Sequence, residues 1–527
     1  MKVKTPIPPV LAQKLLQWFI KDELAEEVLG DLDEKFNHTQ KNTTTTRAKL
    51  NYWYQVLNYL RPFAIKNHRS NSNNNDMIRN YFKIGTRNLL KNKGYSFINI
   101  GGLTFGITVT LLIGIWIYDE ISFDRSNSKY DRVAQVIQNV NNNGETQTWT
   151  NVPFPLSEEL RDNYGDNFKH ISMAIYWGDH SLTFEDVTLT KVGACFEKDF
   201  DEILDLKMVK GSANFKDPAS ILLSKSTAET YFGSVDPINK IMNVNDMPPV
   251  KVAGVYEDFP RNSTFSDLQF ISSWNFLKSN IEWFSTFNDP WRPNFVKLFV
   301  QIADNATYEQ VSQNIKDAKK RRIPEHLKNK NPELFLHPMS DWHLYSQFKN
   351  GVNVGGRIEY VWMFGIIAGF VLLLACVNFM NLNTARNESR AKEVGIRKAI
   401  GSRRQQLVFQ FLAESILVVT VSYLVSLMLA NILLPQFNSI AGKELNMPWN
   451  EPYFWMVSIG FILLTSFLAG SYPAFYLSSF KPVQVLKGSF RGGSPSSLPR
   501  KVLVIGQFTV SISLIIGTIV VHQQIKF

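Results

Sequence analysis

The chain has 527 residues, a formal net charge of +10 and only two cysteines, with 45% of its residues hydrophobic. That length allows several domains, while Cys195 and Cys376, the latter inside an apolar stretch, exclude a disulfide framework or a cysteine-based metal site. The charge is uneven: residues 119–358 hold 26 Lys+Arg against 32 Asp+Glu, so the positive excess belongs to the rest of the chain. There it clusters beside apolar stretches, as on the cytoplasmic flanks of membrane helices, and no nucleic-acid partner is expected.

Residues 1–70 read as a small helical cytoplasmic prefix. Lys2, Lys4, Pro6, Pro8, Pro9 and Lys14 interrupt the first twenty residues, which is not a signal-peptide pattern. Leu11, Leu15, Leu16 and Phe19 have helical spacing, an acidic helix follows over Glu23–Phe36, and Leu50, Tyr52, Trp53, Val56, Leu57 and Leu60 mark a second amphipathic stretch. Asn71–Asn75 reads as a linker. Over 77–96, Ile78, Tyr81, Phe82, Leu89 and Leu90 alternate with Arg79, Lys83, Arg87 and Lys91, as expected for an amphipathic helix lying along a membrane surface.

Five stretches without Asp, Glu, Lys, Arg or His approach the roughly 20 residues that a bilayer core needs. They are Phe97–Tyr118, Tyr360–Met380, Ser415–Leu434, Tyr453–Ser471 and Val502–Val521. Arg79, Lys83, Arg87, Lys91 and Lys93 precede the first, and Asp119, Glu120 and Asp124 follow it. The segment between the second and third, 381–414, is strongly basic. The connection after the third has only Lys443 against Glu444 and Glu451, and 472–501 is basic again. This alternation puts the N-terminus in the cytoplasm and residues 119–358 outside.

Segment 119–358 mixes strand-like runs (Arg132–Val140, His180–Val192, Val250–Tyr256) with helical ones (Leu156–Asn163, Tyr308–Arg321). Turn signals at Asn143-Gly144, Asp236-Pro237 and Pro248-Pro249 separate them. The expected fold is a polytopic α-helical membrane protein, five spans visible, with a large α+β extracytoplasmic domain of one or two subdomains between spans 1 and 2.

The loop after the second span holds Arg386, Arg390, Lys392, Glu393, Gly395, Arg397, Lys398 and Gly401. Arg390, Glu393 and Arg397 fall on one helical face. On composition alone, a solvated positive loop and a docking surface are both open. The wording Glu393-Val-Gly-Ile-Arg-Lys-Ala-Ile-Gly401, then Gln410-Phe-Leu-Ala-Glu-Ser415, resembles the signature of the MacB/FtsX-type ABC transporter permeases. Gly470 to Gly488 is similar to the family's closing motif. Ala219–Gly233, Asp236-Pro237 and Val252 to Pro260 resemble its periplasmic core domain, and Pro8-Pro9 with Glu27–Phe36 resembles a permease prefix domain. Val394 and Ser402 stand where Ile and Ala are usual. Residues 511–523 echo 108–120, so the fifth span looks like the start of a second repeat, and a chain of this family would be expected to continue beyond it.

The resemblance implies a bacterial inner-membrane subunit in a dimeric permease assembly. The loop residues named above would couple it to a separate ABC ATPase, and a periplasmic adaptor or substrate protein would meet 119–358. No Gly-x4-Gly-Lys-Ser/Thr loop occurs in the sequence. The chain is therefore expected to be non-catalytic, with no cofactor or metal, its membrane partner being lipid. The absence of ionisable residues within the spans agrees with rigid-body transmission better than with an ion path. Three features are set aside: His337 and His343 as a metal pair; Asp199, Asp201, Glu202 and Asp205 as a calcium loop; and Lys319, Lys320, Arg321 and Arg322, read as a solvated helix end. A membrane sensor or a membrane-anchored enzyme are the competing readings, and no substrate is indicated.

Overall fold

The computed structural model describes residues 8–19, 22–58, 83–91, 93–213, 215, 217–285, 288–385, 387–478 and 497–525. The expected linker Asn71–Asn75 and most of 472–501 lie outside them. The chain divides into two compact units, Met1–Lys91 and Asn92–Phe527. In the first, helices α1 (Val10–Phe19), α2 (Asp22–Asn42) and α3 (Thr45–Asn58) close on a core of Ala12, Leu16, Leu32, Phe36, Ala48, Tyr52 and Val56. Asp33 accepts hydrogen bonds from Tyr52 (2.9 Å) and Gln13 (3.0 Å) at its edge.

Among the described residues of the second unit, four helices are long and apolar enough to cross a membrane. They are α4 (Lys93–Ile121), α5 (Arg357–Ala385), α7 (Arg404–Ala441) and α8 (Pro452–Ser478), with the charged helix α6 (Asn387–Ala399) between α5 and α7. The outward faces carry Phe105, Trp362, Met428 and Met456, each at least 68% exposed. A helix apolar all round belongs in lipid. Helix α9 (Ser497–Ile525) packs on α5, and its apolar part is Val504–Gly517, shorter than the other four. Among the described residues, four helices meet the length criterion.

Small residues let these helices approach closely. A Cβ on Gly106 of α4 would lie 2.5 Å from the Ala375 Cβ of α5. The Ser426 hydroxyl of α7 donates to the Thr104 carbonyl of α4 (2.9 Å).

Between α4 and α5 the chain builds a mixed sheet. Its order is β11 (Glu333–Pro338), β1 (Val133–Asn142), β10 (Lys297–Ile302), β3 (Phe168–Phe184), β4 (Val187–Phe196), β9 (Phe270–Ser273), β6 (Ser220–Ser224), β8 (Val250–Tyr256) and β5 (Met208–Gly211). β2 (Glu145–Trp149) joins β1, and β7 (Ile241–Val244) joins β3 and β8. The β4/β9 and β6/β8 pairs are parallel and the rest antiparallel. The α+β expectation holds: eleven strands form one continuous sheet, and Gln347–Lys349 pairs with Val352–Gly355 in a separate two-stranded one. Asn143 and Gly144, with φ of 55° and 90°, make the β1/β2 hairpin that their sequence called for. The helix expected over Tyr308–Arg321 stops at Ile315.

The run that follows departs from the expected solvated end. Lys319 is only 5% exposed, and its ammonium donates to Gln138 and Asn294 (2.6 Å each). Arg322 pairs with Glu159 (2.6 Å). Burial pushes the Lys319 pKa down to about 8. An unfolded lysine titrates near ~10.4, so between these values the unfolded chain binds more protons, and stability rises with pH. The contribution is fully present above the unfolded value and is lost as pH falls through about 8. Unfolding free energies of wild type and Lys319→Met, compared at several pH values, should show an extra rise in the wild type on the order of 3 kcal/mol across that window. Parallel pH profiles would contradict the burial argument.

Candidate functional site

Two polar regions cap the apolar bundle. At one end is α6. Val394 is buried against Leu407, Phe411 and Ala474, which fastens α6 to α7 and α8. Arg397 bonds Glu393 (2.6 Å) and also Gln410 of α7. Lys398 donates to the Ser478 carbonyl at the end of α8 (2.7 Å), and Arg404 lies 3.4 Å from the Ser478 hydroxyl. Gly401 has φ 102°. Its N–H and that of Ser402 return to the carbonyls of Lys398 and Arg397 (3.1 and 3.0 Å), a helix stop that requires glycine.

The predicted site residues therefore divide by role. Gly395 is buried, Arg397 and Lys398 brace the helix, Gly401 turns the chain, and Glu393 is exposed. Arg386 and the side chains of Arg390 and Lys392 lie outside the described residues. Sequence reasoning passed over Ile396 of α6 and Ile400, the residue just past its end, which are 50% and 81% exposed. Their i,i+4 spacing at the end of a charged helix was the available signal.

At the other end, α4 finishes in Asp119 and Glu120. Glu120 is fully buried. Its carboxylate receives His343 Nε2 (2.6 Å) from the sheet domain and Lys443 Nζ (2.5 Å) from the α7–α8 connection, with Arg357 of α5 at 3.5 Å. Lys443 also pairs with Asp119. The His343 ring stacks on Phe123 with centroids 3.7 Å apart. The buried Asp124 carboxylate accepts the Thr264 N–H and hydroxyl (2.6 Å each) and the Ser263 hydroxyl (3.2 Å). Burial holds its pKa above the ordinary range despite these bonds. His343, set aside as half of a metal pair, is a member of this joint instead. One cluster thus ties the ends of α4 and α5, the α7–α8 connection and the sheet domain together. Among the other features set aside, Glu202 pairs with Lys129, and Asp205 accepts the Ser128 N–H (2.9 Å).

A bundle of apolar helices with a sheet domain inserted after the first defines a multi-pass membrane protein with a large extramembrane domain. Residues 96–318 match the MacB-like periplasmic core domain, and residues 365–482 match the FtsX-like permease C-terminal domain. The uncharacterized ABC transporter permease YknZ of Bacillus subtilis (strain 168) is 25% identical over 271 residues, covering 50% of this chain and 61% of that protein. The macrolide export ATP-binding/permease protein MacB of Bdellovibrio bacteriovorus is 34% identical over 124 residues, covering 23% of this chain and 18% of that protein. The periplasmic region of MacB from Actinobacillus actinomycetemcomitans aligns over 40% of this chain and 91% of its own (13% identity, TM-score 0.30). The extracellular domain of the ABC-type transporter YknZ from Gram-positive bacteria aligns over 38% and 99% (14% identity, TM-score 0.29). The chain belongs to the MacB/FtsX-type ABC transporter permeases.

Removing one partner of a buried ion pair leaves the other charge uncompensated, at a cost of about 3–5 kcal/mol. Lys443→Met should therefore lower the thermal midpoint in detergent by several degrees. Lys443→Met combined with Glu120→Gln should recover more than half of that loss. Additive losses would show that the two groups do not interact.

Proposed function

We propose that this chain is a permease subunit that couples ATP hydrolysis, performed by an ATPase docked on α6, to rearrangement of the sheet domain. The observation that carries this reading is the exposed C-terminal end of α6 and the turn after it. Ile396 and Ile400 stand exposed beside Glu393, while the inner face is fastened to α7 and α8. An exposed apolar pair ringed by charge suits a protein partner better than solvent. These 527 residues contain no phosphate-binding Gly-x4-Gly-Lys-Ser/Thr loop, so the nucleotide site lies outside them. The name of the Bdellovibrio relative joins ATP binding to a permease, which supports an ATPase as the partner.

In this reading α9 is a fifth span, and the three-helix unit is a cytoplasmic prefix. The chain works as a dimer in the bacterial inner membrane, and a periplasmic adaptor or substrate protein meets the sheet domain. Motion passes mechanically from α6 through α7 and α8 to the joint around Glu120.

Replacing Ile400 by Asp should reduce stimulation of the partner ATPase about tenfold or more, the loss expected from a central contact residue. Membrane insertion and the thermal midpoint should stay unchanged, since the side chain is 81% exposed. Full stimulation would remove α6 as the docking surface. A cysteine at Asp236 should react with an impermeant reagent in intact cells, and one at Ser402 only after permeabilisation. The opposite pattern would invert the topology.

A further inference from the structure

A cleft of about 530 Å³ lies between α4, α7 and α8, beneath the loop that carries Arg261 and Asn262. That is within the size range of small-molecule sites. Leu111, Ile115, Val457 and Phe461 make its depth apolar, and Tyr118, Tyr453 and Phe454 stand nearer the charged end. The polar pair in its wall, Tyr423 and Ser458, is satisfied internally at 2.5 Å. From Thr110 to Asp119 the wall runs about 13 Å along α4, close to the depth of one leaflet's hydrocarbon.

Four charged residues line the cleft: Asp119, Glu444, Glu451 and Arg261. Asp119 is paired with Lys443, and Glu444 with Arg261. Glu451, just before α8, has no ion pair among the described residues, so the mouth carries an uncompensated negative charge. Lipid tails are as apolar as the cleft wall, so transferring a tail from bilayer to cleft gains little. Selectivity must come from the head group. An unpaired carboxylate with aromatic rings beside it favours a cation, and a quaternary ammonium satisfies both.

We propose that this cleft binds a cationic amphiphile, its alkyl tail between α4, α7 and α8 and its ammonium head at Glu451 and the aromatic mouth. Gly114, on the cleft wall, gives a way to close it: a Cβ placed there meets nothing within 4 Å, so a larger side chain would enter the cleft without displacing the helices.

The test uses the full chain in glyco-diosgenin micelles, whose head groups carry no ammonium, and two amphiphiles with the same tail, dodecyltrimethylammonium and dodecyl maltoside. The ammonium compound should bind saturably and about tenfold more tightly, the combined effect of one exposed ion pair and a cation–π contact. Glu451→Gln should bring the two compounds to similar affinity. Gly114→Leu should abolish saturable binding with an unchanged circular dichroism melt. If that variant fails to fold, Val457→Trp fills the cleft from α8 instead. Equal binding of both compounds by the wild type would overturn the proposal, as would a preference that survives Glu451→Gln or binding that survives a folded, filled cleft. The measurement needs no ATPase, so it succeeds or fails separately from the coupling mechanism.

Discussion

Helices α4, α5, α7 and α8 are apolar around their full circumference, and in lipid such helices gain nothing from touching one another through apolar surface alone. Their association therefore rests on close backbone approach at Gly106 and Ala375 and on hydroxyl bonds such as Ser426 to Thr104. Charge is confined to the helix ends. Everything that connects this bundle to another body must be built there, and both ends are built from charges and buried contacts.

The two ends share helices. At 38 residues, α7 is about 57 Å long, nearly twice the hydrocarbon thickness, and so extends past it. Near its start, Leu407 and Phe411 hold Val394 of α6. Beyond its other end, closed by Gly442 at φ 62°, Lys443 reaches Asp119 and Glu120 of α4. In the proposed mechanism a displacement of α6 is carried along one continuous helix to a joint that also holds His343 of the sheet domain. No ionisable group inside the bundle is required.

What the sequence disclosed and what it hid follow from the range of each interaction. The apolar runs, the Asn143-Gly144 hairpin and the β8 strand are local patterns and were readable. The joint was not. Glu120 meets residues 223 and 323 positions away, and in the sequence it looked like an ordinary acidic flank. Lys319 misled for a related reason: a run of four basic residues suggests solvent, whereas Gln138 and Asn294, which receive its ammonium, come from distant segments. On α6 the charges drew attention, yet Arg397 and Lys398 bond back to α7 and α8, and Ile396 and Ile400 stand exposed along with Glu393.

The cleft and the joint are made from adjacent residues. Asp119 lines the cleft and pairs with Lys443, while Glu444, next in sequence, faces the cleft and pairs with Arg261 of the sheet domain. Any shift of α7 or α8 that opens the joint must change the spacing of the cleft walls, because the same helices form both. In the proposed mechanism, binding in the cleft and the position of the sheet domain would then be linked, and the linkage would be reciprocal: an occupant that fits one arrangement better would favour it by its difference in affinity for the two. Glu451 stands just ahead of α8, the helix whose far end Lys398 holds. An amphiphile head at Glu451 and an ATPase on α6 would therefore act near opposite ends of one helix.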